Sequence, residues 1–452
     1  MESVTQNRLI SLDVFRGMTI AGMVLVNNPG TWSSIYGPLK HAEWHGITPT
    51  DYIFPFFLFI VGVAIPIALT KRIERGVTSA VYWKILQRAA TIFALGLLMS
   101  MIPFFQFNDS TGIPYLLKIL LVLSFSSALF LYLLEKKTAA AITAAASAAV
   151  ILIFYFAGGT IVWYSFATMR IPGVLQRIAV CYLIVSLVFL HTNWKQQTVI
   201  SVVLLLLYWM LMTVIPVPGC EVTTVDDKAC NLAAYLDRVI LTESHMWRSA
   251  KVFDPEGILS TLPAIVTTLS GVLAGSWITR ASHYDPELSD TGKSEIRNPK
   301  SQIETVSGLF FAGTVLLAAG WSWSLLFPLN KSLWTSSYVV YTSGLALLTL
   351  AACYWLIDIK GYKKWAWPFV VFGVNALTLF VFSGIMARLL GMIRVAGPEE
   401  GKDITLQQWI FNNLYLSWAS PINSSLAYAV SFILFWLFLM WLLYRKRIFV
   451  KV

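Results

Sequence analysis

Residues 39–62 read LKHAEWHGITPTDYIFPFFLFIVG, so that His41, Glu43, His45 and Asp51 stand directly ahead of an apolar run, Ile53–Leu69. An imidazole has a reference pKa of about 6.5, so a histidine at such a mouth has the chemistry of a general base. A carboxylate beside it can hold the ring in one orientation. Asp51 also suits the first turn of the helix that follows, with Thr48 or Thr50 as its cap, and the residues alone leave both roles open. His41 and His45 share the i, i+4 spacing of helical metal ligands. However, HAEWH is not the H-E-x-x-H order and no third ligand completes it, so no metal is expected.

Other ionisable groups lie inside apolar stretches, where a charge is costly and therefore a functional candidate until it is paired. Asp13 and Arg16 are three residues apart on one helical face, which allows mutual neutralisation or an anion site at Arg16. Arg177, in IPGVLQRIA, needs a carboxylate, carbonyls or a ligand. Arg88 sits near the end of its run and can snorkel, while Lys118 and Arg388 read as structural. The pair Asn27 and Asn28 in VNNPG has a plain reading as helix termination. FDPEGILSTLPAI (253–265) sets Asp254 and Glu256 at the expected start of a helix, where carboxylates suit the dipole. PLNKSLWTSSYV (328–339) holds Asn330, Lys331 and Trp334, the tryptophan also being suited to an interfacial belt. Asn375, inside another run, can serve as interhelical glue.

The elements that must position these groups follow from composition. The chain has 452 residues, of which 57% are hydrophobic and 12% charged. Its mean hydropathy is +0.69. Soluble domains carry roughly 25% charged residues, and a bilayer core needs about 20 apolar helical residues per crossing. The pattern predicts an all-α, polytopic transmembrane helical bundle of about 12 spans: 9–27, 50–70, 84–105, 113–134, 138–157, 171–190, 198–216, 257–279, 305–327, 336–357, 367–391 and 424–444. The first run is expected to remain as a span, because Asp13 and Arg16 interrupt it and no small-residue cleavage site follows.

A net charge of +10 invites a nucleic-acid reading, but the basic residues gather in short alternate connections. Nineteen, among them Lys71, Arg72, Arg75, Lys136, Lys137, Lys195, Lys293, Arg297, Lys363, Lys364, Arg445 and Lys446, fall on one side, and nine on the other, four of those in one long loop. That asymmetry predicts both termini in the cytoplasm and no nucleic-acid partner. The His41 loop and a long loop, 217–256, then face outward. Cys220 and Cys230 share that loop, ten residues apart, and a disulfide is expected if it lies in an oxidising compartment. Cys181 and Cys353 read as inert packing. SGVLAGS (270–276) suits close helix packing, and no internal repeat of the kind common in transporters is visible.

Six separated blocks then share one resemblance: SLDVFRGMTIAGMVLVNNPG, LKHAEWHGITPTDYIFPFFLFIVG, IPGVLQRIAVCY, DPEGILSTLPAI, NKSLWTSSYV and YRKRIFVKV. Together they resemble the heparan-α-glucosaminide N-acetyltransferase family, a lysosomal transmembrane acetyltransferase and its bacterial relatives, over nearly the whole chain. The resemblance implies transfer of acetyl from cytosolic acetyl-CoA to a glucosamine amine across the membrane. It implies His41 as the active histidine, with Asn27 and Asp51 completing the catalytic set. Three departures accompany it. No large luminal domain precedes the first block, the hairpin 113–157 looks inserted into an otherwise single domain of 1–452, and the loop from Asn27 to His41 is longer.

On this reading Arg16, Lys84, Arg88 and Arg177 meet the CoA, while His45, Glu256, Asn330 and Trp334 face the sugar. The expected partners are acetyl-CoA as co-substrate, a small sugar acceptor and the lipid bilayer, with a homodimer as candidate assembly. For a bacterial relative the location is the cell inner membrane, with the catalytic loop facing the periplasm. The competing class is a multi-span transporter of an amino sugar, which twelve spans and intramembrane arginines fit equally well. A scaffolding protein leaves those arginines unexplained.

Overall fold

In a bilayer each backbone N–H and C=O must find its partner within its own segment, which leaves helices as the form for apolar runs of this length. The computed structural model describes residues 9–73, 76–106, 112–160, 162–281, 299–398 and 402–450. Of the basic residues used for orientation, Arg75, Lys293 and Arg297 lie outside these residues.

The long helices are α1 (Ile10–Asn27), α2 (Ile53–Ile73), α3 (Ser79–Met101), α4 (Gly112–Leu133), α5 (Lys137–Phe156), α6 (Val174–His191) and α7 (Trp194–Val214). A short amphipathic helix, α8 (Leu232–Leu241), follows in the 217–256 loop. Then come α9 (Thr261–Ala281), α10 (Pro299–Trp323), α11 (Ser336–Cys353), α12 (Trp367–Val374), α13 (Ala376–Met392), the short α14 (Leu406–Ile410) and α15 (Pro421–Arg445). Among the described residues 11 helices are long and apolar enough to cross a membrane, and α12 with α13 forms a broken pair that brings the number to 12. The protein is a multi-pass, helical membrane protein.

Each expected span meets a helix, and the shifted edges have local causes. The third ends at Met101 rather than 105, because Pro103 disfavours helix in the residue before it. The sixth starts at Val174, after Pro172 and Gly173. The eighth starts at Thr261, not 257, so Asp254 and Glu256 lie before the helix instead of in its first turn. The eleventh is interrupted at Asn375, whose backbone leaves the helical region (φ −126°, ψ 34°).

The chain parts into two compact units. The first holds 1–19, 41–96 and 170–373; the second holds 20–40, 97–169 and 374–452. In the first, α2 and α9 touch backbone to backbone. A Cβ on Gly62 would stand 2.0 Å from the Thr268 carbonyl oxygen, and one on Gly271 the same 2.0 Å from that of Phe59, so only glycine permits the approach. The SGVLAGS stretch therefore does what its small residues suggest. Phe15, Phe59, Val63, Ala274, Ile278, Leu309, Ala346 and Leu350 form the core around this contact.

In the second unit α4 and α5 form the hairpin expected over 113–157, held by Leu117, Leu121, Ile151 and Phe154 and by a Ser124–Ser147 hydroxyl contact of 2.5 Å. Two short antiparallel pairs sit beside it: β1 (Phe105–Gln106) with β2 (Val162–Trp163), and β3 (Arg394–Ala396) with β4 (Asp403–Thr405). Asn375 receives the end of the chain as a strand partner would. Its Nδ2 donates to the Ile448 carbonyl at 3.0 Å, and its Oδ1 accepts the Val450 N–H at 2.9 Å.

Candidate active site

The chain ahead of α2 folds back on itself around one carboxylate. Asp51 Oδ2 accepts the backbone N–H of Ala42 at 3.1 Å, the N–H of Thr48 at 3.0 Å and the Thr48 hydroxyl at 3.0 Å. Its Oδ1 meets His41 Nδ1 at 2.6 Å. The Asp51 side chain is 1% exposed, whereas that of His41 is 50% exposed. Asp51 thus has both sequence roles, closing a capping box with Thr48 and holding an imidazole. Its backbone is fixed as well, by the Tyr338 hydroxyl donating to its carbonyl at 2.6 Å.

A second element reaches this pair from nearly three hundred residues away. The turn between α10 and α11 is built on Asn330, fully buried, whose Oδ1 accepts the Leu333 N–H at 2.9 Å and whose carbonyl accepts the Thr335 N–H at 3.2 Å. The turn sets Lys331 Nζ 3.0 Å from His41 Nδ1, 3.2 Å from His41 Nε2 and 3.8 Å from Asp51 Oδ1. Burial lowers the Lys331 pKa, while Asp51 and Glu256 pull it the other way. Trp334 closes the turn at φ 55°, an unusual region for a bulky residue. It is 1% exposed, so it is no interfacial belt residue. Its indole donates to the Thr267 hydroxyl at 3.1 Å and packs edge-on against Phe54 at 4.9 Å.

Over that indole lies Arg177, 5.2 Å from the ring centroid. It occupies the first turn of α6, buried, and donates to the Gly257 carbonyl at 2.9 Å and to the Ser260 hydroxyl. Glu256 and Asp254 beside it are held by Arg170: Nε to Asp254 Oδ2 at 2.9 Å, Nη2 to Asp254 Oδ1 at 2.6 Å, and Nη2 to Glu256 Oε2 at 2.5 Å. Their charge is met by a guanidinium, which replaces the helix-dipole role suggested by sequence. The Arg170 pKa is raised, burial being outweighed by the two carboxylates. The same loop wraps Asp237 of α8, whose oxygens accept the N–H groups of Asp254 and Ile258; burial pushes its carboxyl up to about 6.

The HAEWH segment is clasped from its other side by the 217–231 loop, which the Cys220–Cys230 disulfide closes. Trp44 Nε1 donates to the Val225 carbonyl at 2.9 Å, Lys228 lies over the Trp44 ring, and His45 Nε2 meets Asp226 Oδ1 at 2.9 Å. His45 Nδ1 is 3.3 Å from Asn330 Nδ2. The two histidines therefore answer to different carboxylates. Among the described residues no group of three His, Cys, Asp or Glu side chains is arranged to hold a metal.

Of the residues singled out from sequence, His41, Asp51, His45, Asn330, Trp334, Glu256 and Arg177 come together in the first unit. Arg16, also in that unit, donates to Asp13 at 3.1 Å and to the Gly373 carbonyl at 3.3 Å. Lys84 and Arg88 are exposed one turn apart on α3, with Arg88 over the Tyr182 ring at 5.0 Å. Asn27, the exposed last residue of α1, belongs to the second unit. Sequence reasoning gave no role to Lys331, Asp226 or Arg170. The visible signal for Lys331 was its place as the single basic residue in PLNKSLWTSSYV.

Residues 8–172 match a family model described as heparan-alpha-glucosaminide N-acetyltransferase, catalytic. The segment includes Asn27, His41 and Asp51 and stops before Arg177, Glu256 and Lys331. Over 99% of its length the chain is 23% identical to the mouse heparan-alpha-glucosaminide N-acetyltransferase, and over 98% it is 25% identical to the human protein of that name. It spans 61% and 60% of the length of those two relatives. Residues 8–172 are thus similar to the heparan-alpha-glucosaminide N-acetyltransferase catalytic segment, and nearly the whole chain aligns with two mammalian proteins of that name.

Proposed function

We propose that this chain is an acyltransferase that moves acetyl from acetyl-CoA to the amino group of a glucosamine-type sugar, with His41 at the reacting centre. The observation that carries the reading is the His41–Asp51 pair inside the matched catalytic segment: a half-exposed imidazole on a fully engaged, buried carboxylate. An ionised carboxylate only accepts, so the His41 proton sits on Nδ1 and the lone pair on Nε2. Nε2 takes a proton from the neutral acceptor amine as its nitrogen attacks the thioester carbonyl. In the covalent variant Nε2 attacks first, and an acetyl-imidazole then passes its acyl group to the amine with ping-pong kinetics.

On the acceptor side of this scheme His45 is the partly exposed group, while buried Asn330 and Trp334 act by fixing the turn that carries Lys331, and Glu256 is held by Arg170. For CoA, Lys84 and Arg88 are the exposed cations on one face of α3, and Arg16 is already engaged by Asp13. Arg177 belongs to the acceptor end of the site by its contacts with the 257–260 loop and Trp334. The names of the mammalian relatives support the amine class of acceptor, and the choice of glucosamine here follows them.

Charge asymmetry supports both termini in the cytoplasm, with His41 and the disulfide loop on the opposite face. A closed Cys220–Cys230 bridge suits that oxidising side. In a bacterium this corresponds to a periplasmic face of the inner membrane. The α4–α5 hairpin is then an insertion that preserves topology, since two added spans return the chain to its starting side.

The test is purified full-length protein incubated with acetyl-labelled CoA and glucosamine. The expected product is labelled N-acetylglucosamine with one free CoA thiol per acetyl moved. Absence of acetyl-CoA binding, together with movement of unmodified sugar into vesicles, would overturn the reading in favour of a transporter.

A further inference from the structure

The acetyl group must pass through a tetrahedral carbon that bears a negative oxygen, which calls for a donor or cation beside the His41 ring. Lys331 offers one, from outside the matched segment 8–172. Its Nζ touches both nitrogens of the His41 ring, at 3.0 and 3.2 Å, so a carbonyl carbon handled at Nε2 places its oxygen within hydrogen-bonding range of the same ammonium. We propose that Lys331 is a catalytic residue of this site, its ammonium holding the oxyanion that forms on the acetyl carbonyl during transfer. The inference rests on the acetyl-transfer reading above.

Three observations favour this role over charge neutralisation of Asp51. First, Asp51 already has four donors on its two oxygens, and the Lys331 Nζ stands 3.8 Å away, beyond a good hydrogen bond. Second, an ammonium has three N–H groups, and the contacts to His41 and Asp51 leave at least one to aim at a substrate oxygen. Third, the turn that carries it is over-determined: Asn330 ties it to Leu333, Thr335 and His45, and Trp334 is anchored on Thr267 and Phe54. A preorganised donor needs no reorientation when charge develops, which is the condition under which such donors count most.

The step balances without any further reactant. The amine nitrogen bonds to the acetyl carbon, its proton goes to His41 Nε2, and the carbonyl π pair moves onto oxygen. The remaining N–H of Lys331 holds that oxygen as the ring becomes positive. Collapse restores the C=O, breaks the C–S bond and expels the CoA thiolate, which takes the proton back from the imidazolium. The products are an N-acetyl amide and CoA thiol.

The experiment measures kcat and KM for acetyl-CoA in wild type, Lys331→Met and Lys331→Arg, with thermal unfolding of each purified protein alongside. Removal of one such donor is expected to lower kcat by roughly 10²–10³-fold with KM for acetyl-CoA within about threefold and an unfolding midpoint close to wild type. Lys331→Arg, which keeps a cation, recovers part of the lost kcat. Should the Met variant fail to fold, Lys331→Gln gives the same readout with a neutral donor and an intermediate loss. A wild type that transfers acetyl beside a folded Met or Gln variant of undiminished kcat overturns the role of Lys331 alone. A fall in activity seen only as raised KM and lowered unfolding temperature assigns the residue to packing and equally overturns it. A wild type that transfers nothing from bound acetyl-CoA to any amine defeats the underlying reading instead.

Discussion

Asp51 shows how much a single side chain is asked to do here. One oxygen gathers the N–H groups of Ala42 and Thr48 and the Thr48 hydroxyl, and the other holds His41. An amide in its place keeps the shape but turns two N–H donors toward groups that already donate. Asp51→Asn is therefore expected to do two things. It leaves buried donors unmatched, which costs about 1–3 kcal/mol of stability each, and it releases the His41 tautomer, with a loss of about 10²-fold or more in kcat. Thermal unfolding and steady-state kinetics on the same preparation check both; wild-type kcat in a folded Asn variant would remove Asp51 from the mechanism. His41 and Asp51 were legible in sequence because they stand ten residues apart in one block beside an apolar run. Lys331 was not, because its meaning depends on a contact 290 residues distant that no local pattern encodes.

At the scale of elements, the site is a meeting of connections held by helices. The HAEWH segment, the Asn330–Thr335 turn and the 217–231 loop carry the candidate site, while α2 and α9 pack closely through Gly62 and Gly271. Hydropathy revealed the helices, since apolar length is a property of each segment alone. It did not reveal the clasp in which Val225 and Asp226 hold Trp44 and His45. Only the two cysteines hinted that this loop was built for a purpose. Replacing both, Cys220→Ser with Cys230→Ser, frees the loop while leaving every membrane helix intact. The expected outcome is a several-fold drop in acetyl transfer with unchanged helical circular dichroism. Full activity in the double variant would show that the clasp does not depend on the bridge. The starts of α6 and α9 illustrate what fine reading misses: Gly173 and the Asp254–Ile258 loop postpone each helix by a few residues, and that delay converts Asp254 and Glu256 from dipole partners into ligands of Arg170.

For the whole molecule, composition was enough to establish a multi-pass helical protein, because twelve apolar segments leave no other way to satisfy the backbone. Composition could not distinguish catalysis from transport, since buried arginines and many spans suit both. What favours catalysis is the first unit, where a half-exposed histidine and a saturated carboxylate from the matched segment meet a lysine from beyond it, in a chain similar to relatives bearing an acetyltransferase name. The division into two units was not visible in sequence, because it cuts through α1 and α3 where apolar character runs on unbroken. The central claim is that His41 is where acetyl changes hands, and it is tested most directly by the initial rate of transfer from labelled acetyl-CoA to glucosamine in wild type beside His41→Ala. The account predicts labelled sugar from the wild type and none above background from a folded His41→Ala that still binds acetyl-CoA. Equal rates from the two proteins would contradict it.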